Sequence, residues 1–448
     1  MADKTNILLI ITDQQTHGAM SCAGNDWLHT PGMDRLSERG TRFTRAYCTF
    51  PLCSPVRASH MTGRYPHEVD TPNNLGKHFW AHDIPRESLM GHIFSQAGYR
   101  CVWAGKDNPP ADGSRDFEVL CSHGDVKVGD RMTEFLQDPG DKPWLASVNF
   151  VNPHNICEFA RGATLFEGGV GPEPKTEEMP PLPANHAVPP YEPEIIREMQ
   201  QRGVENHLPR NYTPDHWRRY IWAYYRMVEL VDRQVARIVD ALDKSGQADN
   251  TLVWFMGDHG DGCAAHQWNQ KRVFYEEVIR VPTILAGPGV TSGAVNDRLV
   301  STGLDVLPTC CAAAGIPLPA DDLEGRSLLE LADGEPAQPW RDAVFVESCA
   351  DPESGGNSEA DKRRVGKRNM GRAIVTERWK YSAWKWGHNR EQLIDLANDP
   401  GEMQNLAVVA RHRDTLAEMR RRLHEWTQRT SDPFMVPGYE ILSPGSPR

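Results

Sequence analysis

The sequence predicts an α/β fold: a doubly wound, mostly parallel sheet flanked by helices, with a small C-terminal α+β subdomain of antiparallel sheet plus helix. Three observations carry that expectation. Four short apolar runs each end on a charged or imidazole residue, and helical patterns lie between them. From about Val344 onward the pattern changes to hairpin strands followed by one amphipathic helix.

The first run covers residues 6–12 and is broken at Asp13; the second covers residues 100–104 and ends at Gly105-Lys106. The third covers residues 144–151 and ends at Asn152-Pro153-His154, and the fourth covers residues 251–256 and ends at Gly257-Asp258-His259. Unbroken apolar runs of this length fit strands buried on both faces. In open α/β sheets ligands bind beyond the carboxyl ends of the strands. The polar residues that close the four runs are therefore expected to share one site.

Between the runs, Thr213-Pro214-Asp215 reads as a helix cap, and Ile221, Tyr224, Val228, Val231, Val235, Ile238 and Leu242 follow at helical spacing until Gly246. Residues 159–208 differ in character. They are dense in Pro and Gly with little periodicity, which predicts a long surface loop over the sheet edge. Residues 351–371 predict a second flexible segment. Further on, residues 372–380 and 391–396 read as the strands of a hairpin, and residues 411–429 carry Leu416, Met419, Leu423 and Trp426 on one helical face. The expected organisation is a main domain over 1–343, with 159–208 as its variable loop, a subdomain over 344–431 and an extended tail over 432–448.

A chain of 448 residues exceeds the size at which one core stops growing, which agrees with that division. The net charge of −12 argues against a general nucleic-acid surface. An acidic chain can still take an anionic substrate if it gathers its cations in one pocket. The longest clean apolar run, residues 7–11, is too short to span a bilayer and has no cleavage pattern after it, so neither membrane insertion nor secretion is expected. Ten cysteines with no C-x-x-C spacing, two of them adjacent at Cys310-Cys311, predict reduced thiols and a cytoplasmic protein.

The chemistry centres on Cys53-Ser54-Pro55-Val56-Arg57-Ala58-Ser59-His60-Met61-Thr62-Gly63. Pro55 suits the first turn of a helix and Gly63 its end, which sets Cys53 at a helix N-terminus where an anion is favoured. Arg57 adds a planar fork of donors about one turn along. Taken by itself, Cys53 reads first as a buried structural thiol and second as a low-pKa nucleophile. Asp13, Gln14, Asp258 and His259 offer a divalent cation carboxylate, amide and imidazole ligands, although strand-end aspartates also form turns. Lys106 and Lys271 in isolation read as surface lysines, and His154 as a core histidine.

Taken together, these residues resemble the type I, formylglycine-dependent sulfatases of the alkaline-phosphatase-like superfamily. The resemblance rests on Cys-x-Pro-x-Arg at Cys53–Arg57 followed by Thr62-Gly63, on Gly105-Lys106, on Asn152-Pro153-His154, and on Asp258-His259-Gly260. Lys271 with Tyr275-Glu276-Glu277 before Arg280-Val281-Pro282 adds to it, as do Gly325-Arg326-Ser327-Leu328, Asp399-Pro400-Gly401-Glu402 and Asn405-Leu406. It runs nearly end to end and lapses only over residues 159–208.

The resemblance implies a formylglycine made from Cys53 by a formylglycine-generating enzyme. It implies one divalent cation, calcium first with manganese or zinc open, on Asp13, Gln14, Asp258 and His259. The family commonly has two aspartates where this chain has Asp13-Gln14. The implied reaction is attack of the hydrated aldehyde on sulfur, with one hydroxyl activated by the metal and Asp258. Arg57, Lys106 and Lys271 would stabilise the transferring group, and His154 would protonate the leaving oxygen. His266 and Asn108 are expected at the substrate, Asn108 standing where the family has histidine. The substrate would be a small-molecule or oligosaccharide sulfate ester. Two rivals remain: a phosphonate monoester or phosphodiester hydrolase on the same scaffold, and a sulfo-sugar-binding protein without turnover if Cys53 stays a thiol.

Overall fold

The computed structural model describes residues 4–74, 85–106, 116–202, 212–332, 334, 336–350 and 369–439. Its first ten strands are β1 (Asn6–Asp13), β2 (Gly40–Phe43), β3 (Ala46–Tyr47), β4 (Arg100–Gly105), β5 (Glu118–Cys121), β6 (Trp144–Pro153), β7 (Thr251–Gly257), β8 (Thr283–Ala286), β9 (Ala294–Asn296) and β10 (Val300–Ser301). Eight of them form one sheet in the order β5-β4-β6-β1-β7-β8-β2-β9. The five strands from β5 to β7 run parallel, and β8 runs against both β7 and β2. The four apolar runs are thus β1, β4, β6 and β7, side by side at the centre.

Their apolar continuity follows from helices on both faces. Leu8 and Ile10 of β1 point to one side, where Met227, Val228, Val231, Val235 and Ile238 of the helix Pro214–Lys244 cover them. Ile7, Leu9 and Ile11 point to the other, under Val306, Leu307 and Cys310 of the helix Thr302–Ala314. The Pro214–Lys244 helix is rich in Val, Trp and Tyr, which give up less than about 0.7 kcal/mol each in helix propensity. Full burial of each such side chain returns about 1.5–3 kcal/mol, so packing decides.

The C-terminal part has its own antiparallel sheet of β11 (Ala343–Cys349), β12 (Met370–Thr376), β13 (Trp379–Trp384) and β14 (Glu391–Asp395). Leu416, Met419, Leu423 and Trp426 of the helix Arg413–Arg429 pack on Ile374, Tyr381 and Leu393 of that sheet. Residues 372–380 are not one strand, as the sequence suggested. Glu377 and Arg378 make a tight turn there, closed by hydrogen bonds between Thr376 and Trp379, which splits the stretch between β12 and β13. Of the second segment expected to be flexible, residues 351–368 lie outside the described residues, while Met370 and Gly371 already belong to β12.

Residues 159–208 also depart from expectation. Up to Arg202 they hold a 3-10 turn (Thr176–Glu178) and the helix Glu194–Arg202, with Ile195, Ile196 and Met199 buried; residues 203–211 lie outside the described residues. The start of the tail is anchored, not free. Asp432 pairs with Arg372, and Phe434 and Val436 are buried; residues 440–448 lie outside the described residues.

Candidate active site

Strand register brings the site residues together. Thr12 of β1 is level with Gly257 of β7, which sets Asp13 beside Asp258. Gly105 of β4 is level with Asn149 of β6. Only glycine fits at 105: its φ is +98°, and a Cβ would meet the Asn149 carbonyl at 1.9 Å. That close approach lets the backbone N–H of Lys106 donate to the same carbonyl, aiming the Lys106 side chain over the strand ends.

Cys53 is the first residue of the buried helix Cys53–Thr62, which Gly63 ends at φ +68°. Its sulfur lies 3.3 Å from His259 Nε2, 3.5 Å from Asp13 Oδ1, 3.3 Å from Lys271 Nζ and 3.6 Å from Lys106 Nζ. Lys106 also contacts the second oxygen of Asp13. Lys271 donates to the Gln14 amide oxygen at 3.1 Å. The chain around Lys271 is unusual in its backbone: Cys263, Ala264, His266, Gln267, Gln270 and Arg272 all hold positive φ. Such backbone concentrates at functional sites, where the surrounding fold holds it in place.

The charges act on one another. Burial would raise the Asp13 carboxyl, but Lys106, His154, Lys271 and Arg57 hold it well below its usual value. Burial and Asp13 push the Cys53 thiol up, but Lys106, Lys271 and His259 outweigh them and lower it. Burial and the two lysines pull the His154 imidazole well below its ordinary value. Asp13 of β1 is level with Pro153 of β6, which brings the next residue, His154, to the same strand ends.

Arg57 has a different part from the one expected. Its guanidinium is 1% exposed: Nε donates to Asp258 at 2.9 Å, Nη1 to Asn149 at 2.8 Å, and Nη2 faces Asp13 at 3.5 Å. Arg57 therefore orders the two carboxylates of the site. His266, expected at the substrate, is fully buried in this structure: it sits in a positive-φ turn, stacks on Tyr275 at 3.8 Å and neighbours Asn185. Asn108 lies outside the described residues. Sequence reasoning passed over Asn149, hidden within an apolar run, and Asp261, three residues beyond Asp258.

Asp13, Cys53, Asp258 and His259 offer ligand atoms within 4.8 Å of one another, all buried. The donor chemistry suits a divalent cation: two carboxylates and an imidazole, with the Gln14 amide oxygen directed to the same side. Asp258 is held ready by the backbone N–H groups of Gln14 at 3.0 Å and His259 at 2.7 Å.

Comparison with known proteins agrees with this geometry. The Sulfatase family model matches residues 5–316, and the model for the C-terminal part of N-sulphoglucosamine sulphohydrolase matches residues 264–429. The chain is 30% identical to a Delta 4,5-hexuronate-2-O-sulfatase of Bacteroides thetaiotaomicron, over 96% of this chain and 90% of that protein. It is 28% identical to a choline-sulfatase of Rhizobium meliloti, over 90% and 82%. The fold superposes on a 2-O GAG sulfatase with a TM-score of 0.82 at 27% identity, covering 96% and 93% of the two chains. It also superposes on a phosphonate monoester hydrolase of Agrobacterium radiobacter at 0.76 and 21% identity, covering 95% and 96%, a likeness of fold alone. With a family model over residues 5–316 and a relative 30% identical along almost the whole chain, the chain belongs to the sulfatase family and is a sulfuric ester hydrolase.

Proposed function

We propose that the chain removes sulfate from a sulfated saccharide, using a formylglycine made from Cys53 and one divalent cation. The observation that carries this is the convergence of Lys106, Lys271, His259 and Asp13 on the Cys53 sulfur. Two ammonium groups that close would meet a sulfate's oxygens as readily as they meet a thiolate. The saccharide class is supported by the relative named for a hexuronate 2-O-sulfate.

The aldehyde, once formed and hydrated, supplies an oxygen nucleophile where the thiol stands. The cation, calcium by its oxygen-rich set and manganese or zinc by its imidazole, supplies positive charge at that nucleophile and at the sulfate. Around them the chain's own groups divide the work. Arg57 holds the Asp13 and Asp258 carboxylates in place. Lys106 and Lys271 neutralise charge on the transferring group. A bound sulfate's negative charge beside His154 would favour its protonated ring, which takes its proton from solvent and passes it to the leaving oxygen. Maturation calls on a formylglycine-generating enzyme. Ten free cysteines support a reducing, cytoplasmic setting.

The test is a substrate panel offered to protein confirmed to carry the aldehyde: uronate 2-sulfates, amino-sugar sulfates, choline sulfate and a phosphonate monoester. Preference for a sulfated saccharide by kcat/KM supports the reading. Preference for the phosphonate contradicts it, and saccharide binding with no turnover by an unmodified thiol favours the binding-protein rival.

A further inference from the structure

Gln14 carries an ambiguity that an aspartate would not. A carboxamide has one oxygen and one nitrogen of nearly equal size, and only the oxygen can serve a cation. Something in the fold must choose which end faces the pocket. The Gln14 nitrogen donates to Asp261 Oδ2 at 2.7 Å, while the oxygen accepts from Lys271 at 3.1 Å. Asp261 is fully buried and is itself fixed by the Tyr220 hydroxyl at 2.9 Å, the Cys263 N–H at 2.8 Å and the Gln270 N–H at 3.1 Å. The Gln14 backbone is pinned as well, its N–H to Asp258 at 3.0 Å and its carbonyl to the Tyr224 hydroxyl at 2.6 Å, with φ at 69°. With the backbone held and the amide set between Asp261 and Lys271, the choice left open is which end faces which. A flipped amide would set oxygen against the Asp261 carboxylate and nitrogen against the Lys271 ammonium, two repulsive contacts in place of two hydrogen bonds.

We propose that Asp261 is a positioning residue that fixes the Gln14 amide with its oxygen toward the Cys53 pocket. Asp261 acts through Gln14 and faces away from the pocket itself. The inference rests on the reading of Asp13, Gln14, Asp258 and His259 as a cation site. Partners of metal ligands in this position are typically worth about 10–100-fold in metal affinity.

The test is calcium and manganese affinity, by titration calorimetry on metal-stripped protein, for Asp13→Asn, Asp261→Asn, Gln14→Glu and the double variant Gln14→Glu/Asp261→Asn. Asp261→Asn permits both amide orientations and should weaken binding about 10–100-fold. Gln14→Glu adds a negative charge, so charge counting alone predicts tighter binding. The positioning role predicts weaker binding, because two buried carboxylates then face each other. In the double variant the new amide at position 261 donates to the new carboxylate at position 14. Affinity should then return to within about threefold of wild type, a coupling that independent sites do not show. Tighter binding by Gln14→Glu, or no recovery in the double variant, overturns the inference. Should Gln14→Glu fail to fold, Asp261→Asn alone carries the test, and unchanged affinity in it overturns the inference. Unchanged affinity in Asp13→Asn would instead remove the cation site itself, which separates the two failures.

Discussion

The ammonium of Lys271 stands 3.3 Å from the sulfur of Cys53, although 218 residues separate them in the chain. The contact joins the end of a turn after β7 to the head of the Cys53–Thr62 helix. It commits Lys271 to whatever group grows from position 53. Lys271→Ala should lower kcat/KM about 10²–10³-fold on alkyl and aryl sulfates alike, because a cation on the sulfate acts whatever the leaving group. A loss confined to one ester type would move Lys271 from the sulfate to the leaving group.

His154 should behave in the opposite way. An alkoxide needs a proton as its bond to sulfur breaks, and a nitrophenolate does not. His154→Ala should therefore cut turnover of a sugar sulfate about 10²–10⁴-fold and leave an activated aryl sulfate nearly unchanged. Equal losses on both esters would make His154 a sulfate binder.

Chelation should abolish turnover, and one divalent ion per chain should restore it. Asp13→Asn and Asp258→Asn should each weaken that binding, since each removes a charged oxygen from a hard-cation site. Asp258→Asn also deprives Arg57 of its 2.9 Å partner, so its thermal stability should fall as well. A metal-free protein that kept its rate would show the donor set to be structural.

His67 joins the two parts of the molecule, with Nδ1 2.7 Å from Glu347 and Nε2 3.0 Å from the Thr430 carbonyl. Burial disfavours its charged form, but Glu347 and Asp432 more than offset this and raise its pKa to about 9. A raised folded-state value means the charged ring stabilises fully below the ordinary 6.5, and the contribution is lost as pH climbs through about 9. His67→Gln should cost about 1–3 kcal/mol near pH 6. Melting curves should show its deficit against wild type shrinking as pH rises to 9 and beyond; a constant deficit would mean that packing, not charge, is what His67 contributes.

What the sequence made legible follows from burial. The strands β1, β4, β6 and β7 are covered on both faces, so their runs stood out, and the polar residue closing each run was visible as well. The Leu416–Trp426 face was legible because one side of that helix meets a sheet and the other meets water. The helix Glu194–Arg202 was not legible: its buried set of Ile195, Ile196 and Met199 is too short to show a period within a Pro-rich stretch. The bond from Arg57 to Asn149 and the stacking of His266 on Tyr275 were not legible, because those partners are supplied only by the fold. Asp261 escaped for the same reason, since its role depends on an amide 247 residues away.

The most direct test of the account is release of inorganic sulfate from a sulfated saccharide, measured on protein produced with a formylglycine-generating enzyme. Wild type and Cys53→Ala would be compared at equal metal content. The account predicts an aldehyde on the wild-type Cys53 peptide by mass spectrometry, and turnover in proportion to the fraction converted. It predicts that Cys53→Ala folds, binds its cation and releases no sulfate above background. Wild-type rates in Cys53→Ala, or full activity with the thiol unconverted, would contradict it.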